Sequence, residues 1–263
     1  MKNIILDMTG LCRDGGLATS LASPETVSLS SLEGTNCYCA PAAASVIRQA
    51  VEALPVSALH WCDTGDYHYL SRFWLEKAAD EMGEEPFALV LFDHHPDMQE
   101  PAFGNVLSCG SWARDAFTGI PNLKQILLVG INPDLEVEIL DLVFDGVLAV
   151  TAEDLRHTGD NLSQDVLEMF SLLDPHVPVY ISIDKDVLTK DYARTDWDQG
   201  GMTLPQLEAA VLRIAAGHRL LGADICGGLT PDKGGKSEDF DINLKTDLAL
   251  EKLFGNLIID SYL

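Results

Sequence analysis

Two short segments of this chain place carboxylate and imidazole side chains directly after apolar runs. The segment Asp93-His-His-Pro-Asp97 follows the run Phe87–Phe92, and Ser182-Ile-Asp-Lys-Asp186 follows the run at 177–181. Continuous apolar runs of this length are typical of strands that are buried on both faces of a parallel sheet. We therefore expect the two polar segments to lie at the carboxyl ends of strands.

Side chains alternate along a strand, and this alternation predicts which of the polar groups lie together. In the first segment Asp93, His95 and Asp97 would share one face, and in the second Asp184 and Asp186 would do the same. A single aspartate after a strand is usually a cap or turn residue. Clustered carboxylates, however, repel each other and resist burial unless a cation neutralises them. The two segments therefore predict a site for one or two divalent metal ions.

A third segment is predicted to reach the same edge of the sheet. Asp63-Thr-Gly-Asp-Tyr-His68 follows the apolar stretch 58–62, and His68 comes just past a glycine-containing turn, at the start of a predicted helix over 69–82. His68 would add a neutral imidazole to the carboxylates.

The elements that must position these groups alternate along the chain. We predict strands at 4–6, 58–62, 87–92, 125–131, 146–150, 177–183 and 220–225, and helices at 42–51, 69–82, 162–173, 204–216 and 245–254. Such βαβ alternation indicates a three-layer αβα fold with a mainly parallel sheet, and we expect residues 1–263 to form a single domain. Ligands of such sheets bind at the carboxyl ends of the strands, where the polar segments are predicted.

Composition limits the classes of partner. The chain has 263 residues, with 41 acidic against 17 basic side chains and a formal net charge of −24, which disfavours nucleic acids and anionic membranes because phosphates would be repelled. The apolar run at the N-terminus is too short for a signal peptide, and no segment approaches the roughly 20 apolar residues of a membrane span. Six cysteines do not form a disulfide scaffold at this length, so we expect free thiols and a cytoplasmic location.

The three polar segments also carry a family resemblance. Gly65-Asp-Tyr-His68, Asp93-His-His-Pro-Asp97 and Ser182-Ile-Asp-Lys-Asp186 resemble, in order and in spacing, the three metal motifs of the arginase–agmatinase (ureohydrolase) family. The resemblance spans roughly residues 60 to 230. Within it, Gly200-Gly201 is similar to a glycine pair of the family's substrate loop, and the stretch 221–225 is similar to the last core strand. It implies a fold of the arginase–deacetylase type.

The resemblance implies a ligand set and a reaction. One Mn²⁺ would be bound by His68, Asp93, Asp97 and Asp184, and a second by Asp93, His95, Asp184 and Asp186. In this family a hydroxide that bridges the two metals attacks the guanidinium carbon, since a two-metal site lowers the pKa of water from about 15.7 toward 7. Asp97 matches the ligand that orients the hydroxide and passes its proton to the leaving nitrogen.

Two departures from the family concern the substrate rather than the metals. Arginases place a carboxylate that holds the guanidinium two residues after an Asp-Ile pair, and here Gly227 occupies that position. They also place a proton-shuttling histidine about a dozen residues after the first acidic segment, where this chain has Ser108 and Cys109. In addition, Thr189-Lys190 stands where the family usually has Asp-Pro.

Several residues are candidates for substrate contacts in place of the missing groups. Gln99, Ser108 and Cys109 are predicted to lie near the site. Cys109 is open to four interpretations, namely a nucleophile, a soft ligand, a gating residue or a buried structural thiol. Asp196 and Asp198 either replace the missing carboxylate or are solvated loop acids.

Other titratable residues are predicted to have structural roles. His94 and Lys185 alternate with the metal-facing positions, so we expect His94 to pack and Lys185 to pair with an acid. His157, His176 and His218 are predicted at the surface.

The predicted function is hydrolysis of a non-peptide C–N bond of a small molecule, in a guanidino compound, an amidine or a linear amide. One alternative is a deacetylase-like amidohydrolase, which would fit the missing guanidinium acid, although such enzymes usually use one zinc ion. A second alternative is a non-catalytic metal-binding or regulatory protein that retains the ligands. The resemblance also suggests a homo-oligomer.

Overall fold

The computed structural model describes residues 2–101, 104, 106–142, 145–156 and 159–260. Eight strands form one parallel sheet in the order β2-β1-β4-β10-β9-β5-β7-β8, and β3 and β6 form a separate antiparallel pair. In chain order the strands are β1 (Asn3–Asp7), β2 (Glu25–Ser28), β3 (Tyr38–Cys39), β4 (Leu59–Trp61), β5 (Phe87–Phe92), β6 (Leu107–Ser108), β7 (Leu123–Ile131), β8 (Val147–Thr151), β9 (Val179–Asp184) and β10 (Leu220–Cys226).

Helices follow most of the strands. They are α1 (Leu11–Asp14), α2 (Leu17–Ser20), α3 (Pro41–Val51), α4 (Ser71–Met82), α5 (Trp112–Gly119), α6 (Gln164–Phe170), α7 (Leu204–Ala215) and α8 (Ser237–Asp260). Short 3-10 helices cover Gly65–Leu70, Pro133–Ile139, Lys185–Val187 and Pro231–Lys233. The start of α7 is fixed by a capping box, in which Thr203 and Gln206 exchange side-chain to backbone hydrogen bonds. None of the described helices is long and apolar enough to cross a membrane.

The central strands are mostly apolar because helices cover both faces of the sheet. All six residues of β5 are buried, as are all six of β9. One core cluster includes Ile47 of α3 and Phe73 of α4, and the cluster on the other side includes Leu207 of α7 and Leu250 of α8. The predicted three-layer αβα fold of the arginase–deacetylase type is therefore confirmed.

The order of the strands brings the three polar segments together. In the sheet β9 lies between β5 and β10, and Phe92 pairs with Ile183 while Cys226 pairs with Asp184. The strand β4, which precedes the His68 segment, pairs with β10 on its other side. The chain thus leaves four neighbouring strands at the same edge.

Candidate metal centre

The six predicted ligands converge on one cavity at the carboxyl edge of the sheet. The cavity has a volume of about 260 Å³ and is lined by all six, which are His68, Asp93, His95, Asp97, Asp184 and Asp186. Five of the six are buried, and the side chain of His95 is 21% exposed.

The first acidic segment reaches the cavity through a loop rather than through the alternating side chains of a strand. The strand β5 ends at Phe92, and Asp97 lies in the left-handed region with φ 52. Asp93 Oδ1 accepts a hydrogen bond from the His95 backbone N–H at 2.7 Å, which turns the segment back on itself. The indole N–H of Trp112 donates to Asp97 Oδ2 at 2.5 Å. The residues meet as predicted, but through a loop that is held by hydrogen bonds.

The second acidic segment is also held by hydrogen bonds to its carboxylates. Asp184 is the last residue of β9, and its Oδ1 accepts from the Asp186 N–H at 2.9 Å, which caps the following 3-10 turn. Asp186 Oδ1 in turn accepts from the His94 N–H at 3.0 Å. The two segments are therefore tied together directly.

At one end of the centre, His68 Nδ1 faces three carboxylates. It lies 3.1 Å from Asp93 Oδ2, 3.1 Å from Asp97 Oδ2 and 3.7 Å from Asp184 Oδ2. Although His68 is only 1% exposed, this nitrogen has no hydrogen-bond partner of good geometry. A buried nitrogen that is aimed at oxygens without a hydrogen bond marks a place that suits a cation.

At the other end, the ring of His95 lies between carboxylates on both sides. Its Nδ1 is 2.9 Å from Asp186 Oδ2 and 3.5 Å from Asp93 Oδ1, and its Nε2 is 3.1 Å from Asp198 Oδ1. If Nδ1 bound a metal ion, Nε2 would carry the ring proton and donate a hydrogen bond to Asp198 Oδ1. Metal-binding histidines are commonly oriented by a carboxylate in this manner.

The titration behaviour of the site reflects buried charge. Burial, with repulsion from neighbouring carboxylates, raises the pKa of Asp184 to about 8 and that of Asp186 to about 7. Burial alone would lower the pKa of His68, but the nearby carboxylates of Asp93 and Asp97 outweigh it and hold that pKa well above its ordinary value. Protons thus supply positive charge that a divalent ion would supply instead.

The donor atoms fit divalent metal ions. Among the residues that the structure describes, three groups of side chains each place their ligand atoms within 4.8 Å of one another. They are His68 with Asp93 and Asp97, Asp93 with His95 and Asp186, and His68 with Asp184 and Cys226. The first two groups are subsets of the two predicted ligand sets. The third includes Cys226, which was not predicted.

A layer of hydrogen bonds behind His68 was also not predicted. His68 Nε2 lies 2.9 Å from Ser182 Oγ, which donates to Asp224 Oδ1 at 2.7 Å, and Ser71 Oγ donates to the same oxygen at 2.9 Å. Ser182 stands within the second motif, and Asp224 pairs with it across β9 and β10. This layer fixes the ring so that Nδ1 points at the carboxylates.

The three predicted substrate residues line the cavity on the side of β6. They are Gln99, Ser108 and Cys109. Ser108 Oγ lies 2.7 Å from Ser111 Oγ. Burial and the negative charge of Asp97 raise the pKa of the Cys109 thiol, and a neutral thiol is a poor nucleophile. Among the four interpretations, this disfavours the nucleophile.

The mouth of the cavity contains an ion-paired cluster. Lys233 Nζ lies 2.5 Å from Asp66 Oδ2 and 2.6 Å from Asp196 Oδ2, and Trp197 Nε1 donates to Asp66 Oδ1 at 3.1 Å. The interpretation of Asp196 as a solvated acid is wrong, because its side chain is 3% exposed and paired with Lys233. Asp198 is 70% exposed and contacts His95 instead.

The residues predicted to have structural roles behave accordingly where they are described. His94 is buried, with Nδ1 3.3 Å from the Gly130 carbonyl oxygen, and Lys185 Nζ donates to Asp247 Oδ1 at 2.6 Å. His176 is exposed and His218 is partly exposed, whereas His157 lies outside the described residues.

The backbone at Gly227 excludes a side chain in this conformation. Its φ is +91, and a Cβ there would overlap Asp184 Oδ1 and approach the Lys185 N–H nitrogen to 2.8 Å. The position at which arginases carry the guanidinium acid is therefore filled by a tight bend against Asp184.

Fold and site together define an α/β protein of the arginase–deacetylase type with ligand groups at the carboxyl edge of its sheet. The model of the Arginase family matches residues 41–234, and the chain belongs to this family. An uncharacterized protein of Thermotoga maritima is 32% identical over 253 residues, which cover 95% of this chain and 90% of that protein.

Two solved structures share the fold at low sequence identity. Proclavaminate amidino hydrolase from Streptomyces clavuligerus has a TM-score of 0.70 at 18% identity, and the match covers 98% of this chain and 92% of that one. Formimidoylglutamase from Bacillus subtilis has a TM-score of 0.70 at 16% identity, with 97% and 86% covered.

Proposed function

We propose that residues 1–263 form one arginase-like metallohydrolase domain, which uses two divalent ions to cleave a non-peptide C–N bond of a small molecule. Mn²⁺ is the proposed ion, because mixed carboxylate and imidazole ligation suits it. The proposed ligands of one ion are His68, Asp93, Asp97 and Asp184. Those of the other are Asp93, His95, Asp184 and Asp186, so that Asp93 and Asp184 bridge.

The observation that carries this proposal is the unpartnered Nδ1 of His68. A buried imidazole nitrogen lies 3.1 Å from carboxylate oxygens of both Asp93 and Asp97 without making a hydrogen bond. Four buried aspartates around one cavity are costly unless cations neutralise them. The family to which the chain belongs supports the same class of reaction.

When bound, two such ions act as Lewis acids and lower the pKa of water toward 7, which makes a nucleophile available at neutral pH. Asp97 is the proposed catalytic residue. Its carboxyl group would take a proton from the attacking water and pass it to a leaving nitrogen. The indole of Trp112 fixes Oδ2 of Asp97 and so orients the group.

The lining of the cavity favours a substrate with a neutral reacting group. A guanidinium cation is usually held by a paired carboxylate, and Gly227 leaves no room for one at the usual position. Gln99 and Ser108 offer neutral hydrogen-bonding groups, and with Cys109 they are the proposed substrate contacts. We therefore place linear amides ahead of amidines and guanidino compounds as substrates.

The test is a hydrolysis assay on protein that was loaded with Mn²⁺ and analysed for metal content. A panel of guanidino compounds, amidines and linear amides is followed by the release of urea, ammonia or amine. We expect close to two ions per chain and turnover of at least one member of the panel. Asp97→Asn and Asp186→Asn should abolish turnover, whereas Asp134→Asn, at an exposed position outside the site, should retain it.

Two results would contradict the proposal. Protein that binds no divalent ion would exclude a metallohydrolase. Protein that binds two ions but turns over no member of the panel would favour a metal-binding or regulatory protein, which is the interpretation that the absent histidine and carboxylate support.

The proposal also covers the cellular location, the partners and the oligomeric state of the enzyme. We propose a cytoplasmic protein that acts on a small molecule, without nucleic acid or membrane as partners, because the charge of −24 repels phosphates. Light scattering at several concentrations would test the proposed homo-oligomer.

A further inference from the structure

A thiol lies at the His68 end of the candidate metal centre. Cys226, the last residue of β10, is 1% exposed, and its Sγ donates to Asp184 Oδ2 at 3.0 Å. The ligand atoms of His68, Asp184 and Cys226 all lie within 4.8 Å of one another. Cys226 stands outside the three motifs that carry the other ligands.

The position of this thiol is fixed by the sheet. Cys226 pairs with Asp184 in the register of β10 and β9, one step beyond the pair of Asp224 with Ser182. Residues two apart on a strand share a face, so Cys226 lies on the same face as Asp224, beneath the segment that carries His68. The next residue, Gly227, adopts φ +91 and lies directly against the Asp184 carboxylate.

A second observation points to a ligand at this place. The unpartnered Nδ1 of His68 is buried and lies 3.7 Å from Asp184 Oδ2, the same oxygen that the Cys226 thiol contacts. One nitrogen, one oxygen and one sulfur therefore surround a common point. The opposite end, with Asp93, His95 and Asp186, offers nitrogen and oxygen alone.

We propose that Cys226 is a thiolate ligand of the metal ion at the His68 end, together with His68 Nδ1 and Asp184. This inference rests on the proposed metal centre and gives its two ends different metal preferences. Thiolate ligation favours Zn²⁺, whereas a site rich in carboxylates suits Mn²⁺. The thiol proton passes to solvent when the ion binds, so binding at this end releases a proton.

The direct test is a Co²⁺ titration of the metal-stripped, full-length protein. A cobalt–thiolate bond gives a sulfur-to-metal charge-transfer band in the near ultraviolet, which nitrogen and oxygen ligands do not give. We expect this band to saturate with one Co²⁺ per chain, to disappear in Cys226→Ser and Cys226→Ala, and to persist in Cys62→Ala and Cys109→Ala. Cys62 is an equally buried thiol at the end of the neighbouring strand, and Cys109 lines the cavity.

Metal selectivity gives a second measurement. Wild-type protein equilibrated with limiting Zn²⁺ and excess Mn²⁺ should retain one ion of each per chain in elemental analysis. In Cys226→Ser the affinity for Zn²⁺ should fall by more than the roughly 10–100-fold that the loss of an outer-shell partner costs. The affinity for Mn²⁺ at the opposite end should change by less than about threefold.

The outcomes separate this inference from the proposed function. If cobalt binds to wild-type protein without a charge-transfer band, Cys226 is not a ligand. The same conclusion follows if the band persists in Cys226→Ser or is lost in Cys109→Ala. Each of these results leaves the hydrolase proposal standing. A band that depends on Cys226 in a protein without turnover supports the ligand and contradicts the hydrolase. Protein that binds no divalent ion overturns both.

Discussion

The hydrogen bonds behind His68 make Ser182→Ala the most informative single substitution. His68 Nε2 lies 2.9 Å from Ser182 Oγ, and Ser182 Oγ donates a hydrogen bond to Asp224 Oδ1 at 2.7 Å. The three side chains are buried. With Nδ1 bound to a metal ion, the proton of the ring must lie on Nε2, and Ser182 is its acceptor. The substitution removes that acceptor and leaves the cavity lining unchanged.

Two independent estimates of the magnitude agree. A buried donor that is left without a partner costs about 1–3 kcal/mol. Loss of an outer-shell partner of a metal-binding histidine costs roughly 10–100-fold in metal affinity, which corresponds to about 1.4–2.7 kcal/mol. We therefore expect Ser182→Ala to weaken metal binding at the His68 end by about one to two orders of magnitude.

The matched control is Ser71→Ala. Ser71 is also fully buried. Its Oγ donates to Asp224 Oδ1 at 2.9 Å and lies 3.3 Å from Ser182 Oγ, but among the described residues it makes no hydrogen bond to the imidazole of His68. Competition with a chelator of known affinity measures metal binding in the wild type and both variants, and thermal unfolding without metal checks that each is folded. Ser71→Ala should stay within about threefold of wild type. Equal losses in the two variants, or no loss in either, would refute the orienting role of Ser182.

Three further predictions concern the same edge of the sheet. Gly227→Glu, which restores the acid found in arginases, should lose metal and unfold at lower temperature because its Cβ would overlap Asp184, and a variant that binds metal normally would contradict this. Burial raises the pKa of Asp184 to about 8 and that of Asp186 to about 7 in the folded, metal-free protein, above the roughly 3.9 of an unfolded aspartate. The folded state therefore holds these protons more tightly, and metal-free stability should fall as the pH rises from about 4 to 8. Since a bound cation keeps both groups ionised without this cost, the gain in Tm on adding metal should be larger at pH 8 than at pH 5, and a constant gain would contradict the assignment. Lys185→Met should cost about 3–5 kcal/mol in urea unfolding because it leaves the Asp247 carboxylate buried and unpaired, and adding Asp247→Asn should recover part of the loss.

The sequence predicts the central strands well because their physical signal is strong. The strand β5 is a continuous apolar run and β9 begins with one, and both were predicted within two residues of their ends. The strand β2 was missed because it is short and largely exposed at the edge of the sheet. The helix α8 begins at Ser237, before the predicted start at 245, because its first turns are acidic and contain few apolar residues.

The site shows a similar division. The six proposed ligands could be predicted, since each stands in a motif at or shortly after the end of a strand. The alternation argument did not give their geometry, because Asp97 adopts a left-handed conformation in a loop. Asp224 and Cys226 reach the centre because β10 pairs with β9, which places them beside Ser182 and Asp184. Such pairing joins distant parts of the chain, so no local pattern in the sequence predicts it. The burial of Asp196 depends on Lys233, which comes from a separate loop.

The absence of the guanidinium acid and the presence of the thiol have one structural cause. The bend at Gly227 brings the end of β10 so close to Asp184 that no Cβ fits, and the same approach places Cys226 Sγ 3.0 Å from the Asp184 carboxylate. An acid at position 227 would require the end of the strand to move away from Asp184, and that movement would lengthen the contact with the thiol. The backbone conformation that holds Cys226 against Asp184 thus leaves no room for a side chain at position 227. A centre with a thiolate at this end has no partner for a guanidinium cation at position 227, which links the proposed metal preference to the proposed preference for a neutral substrate.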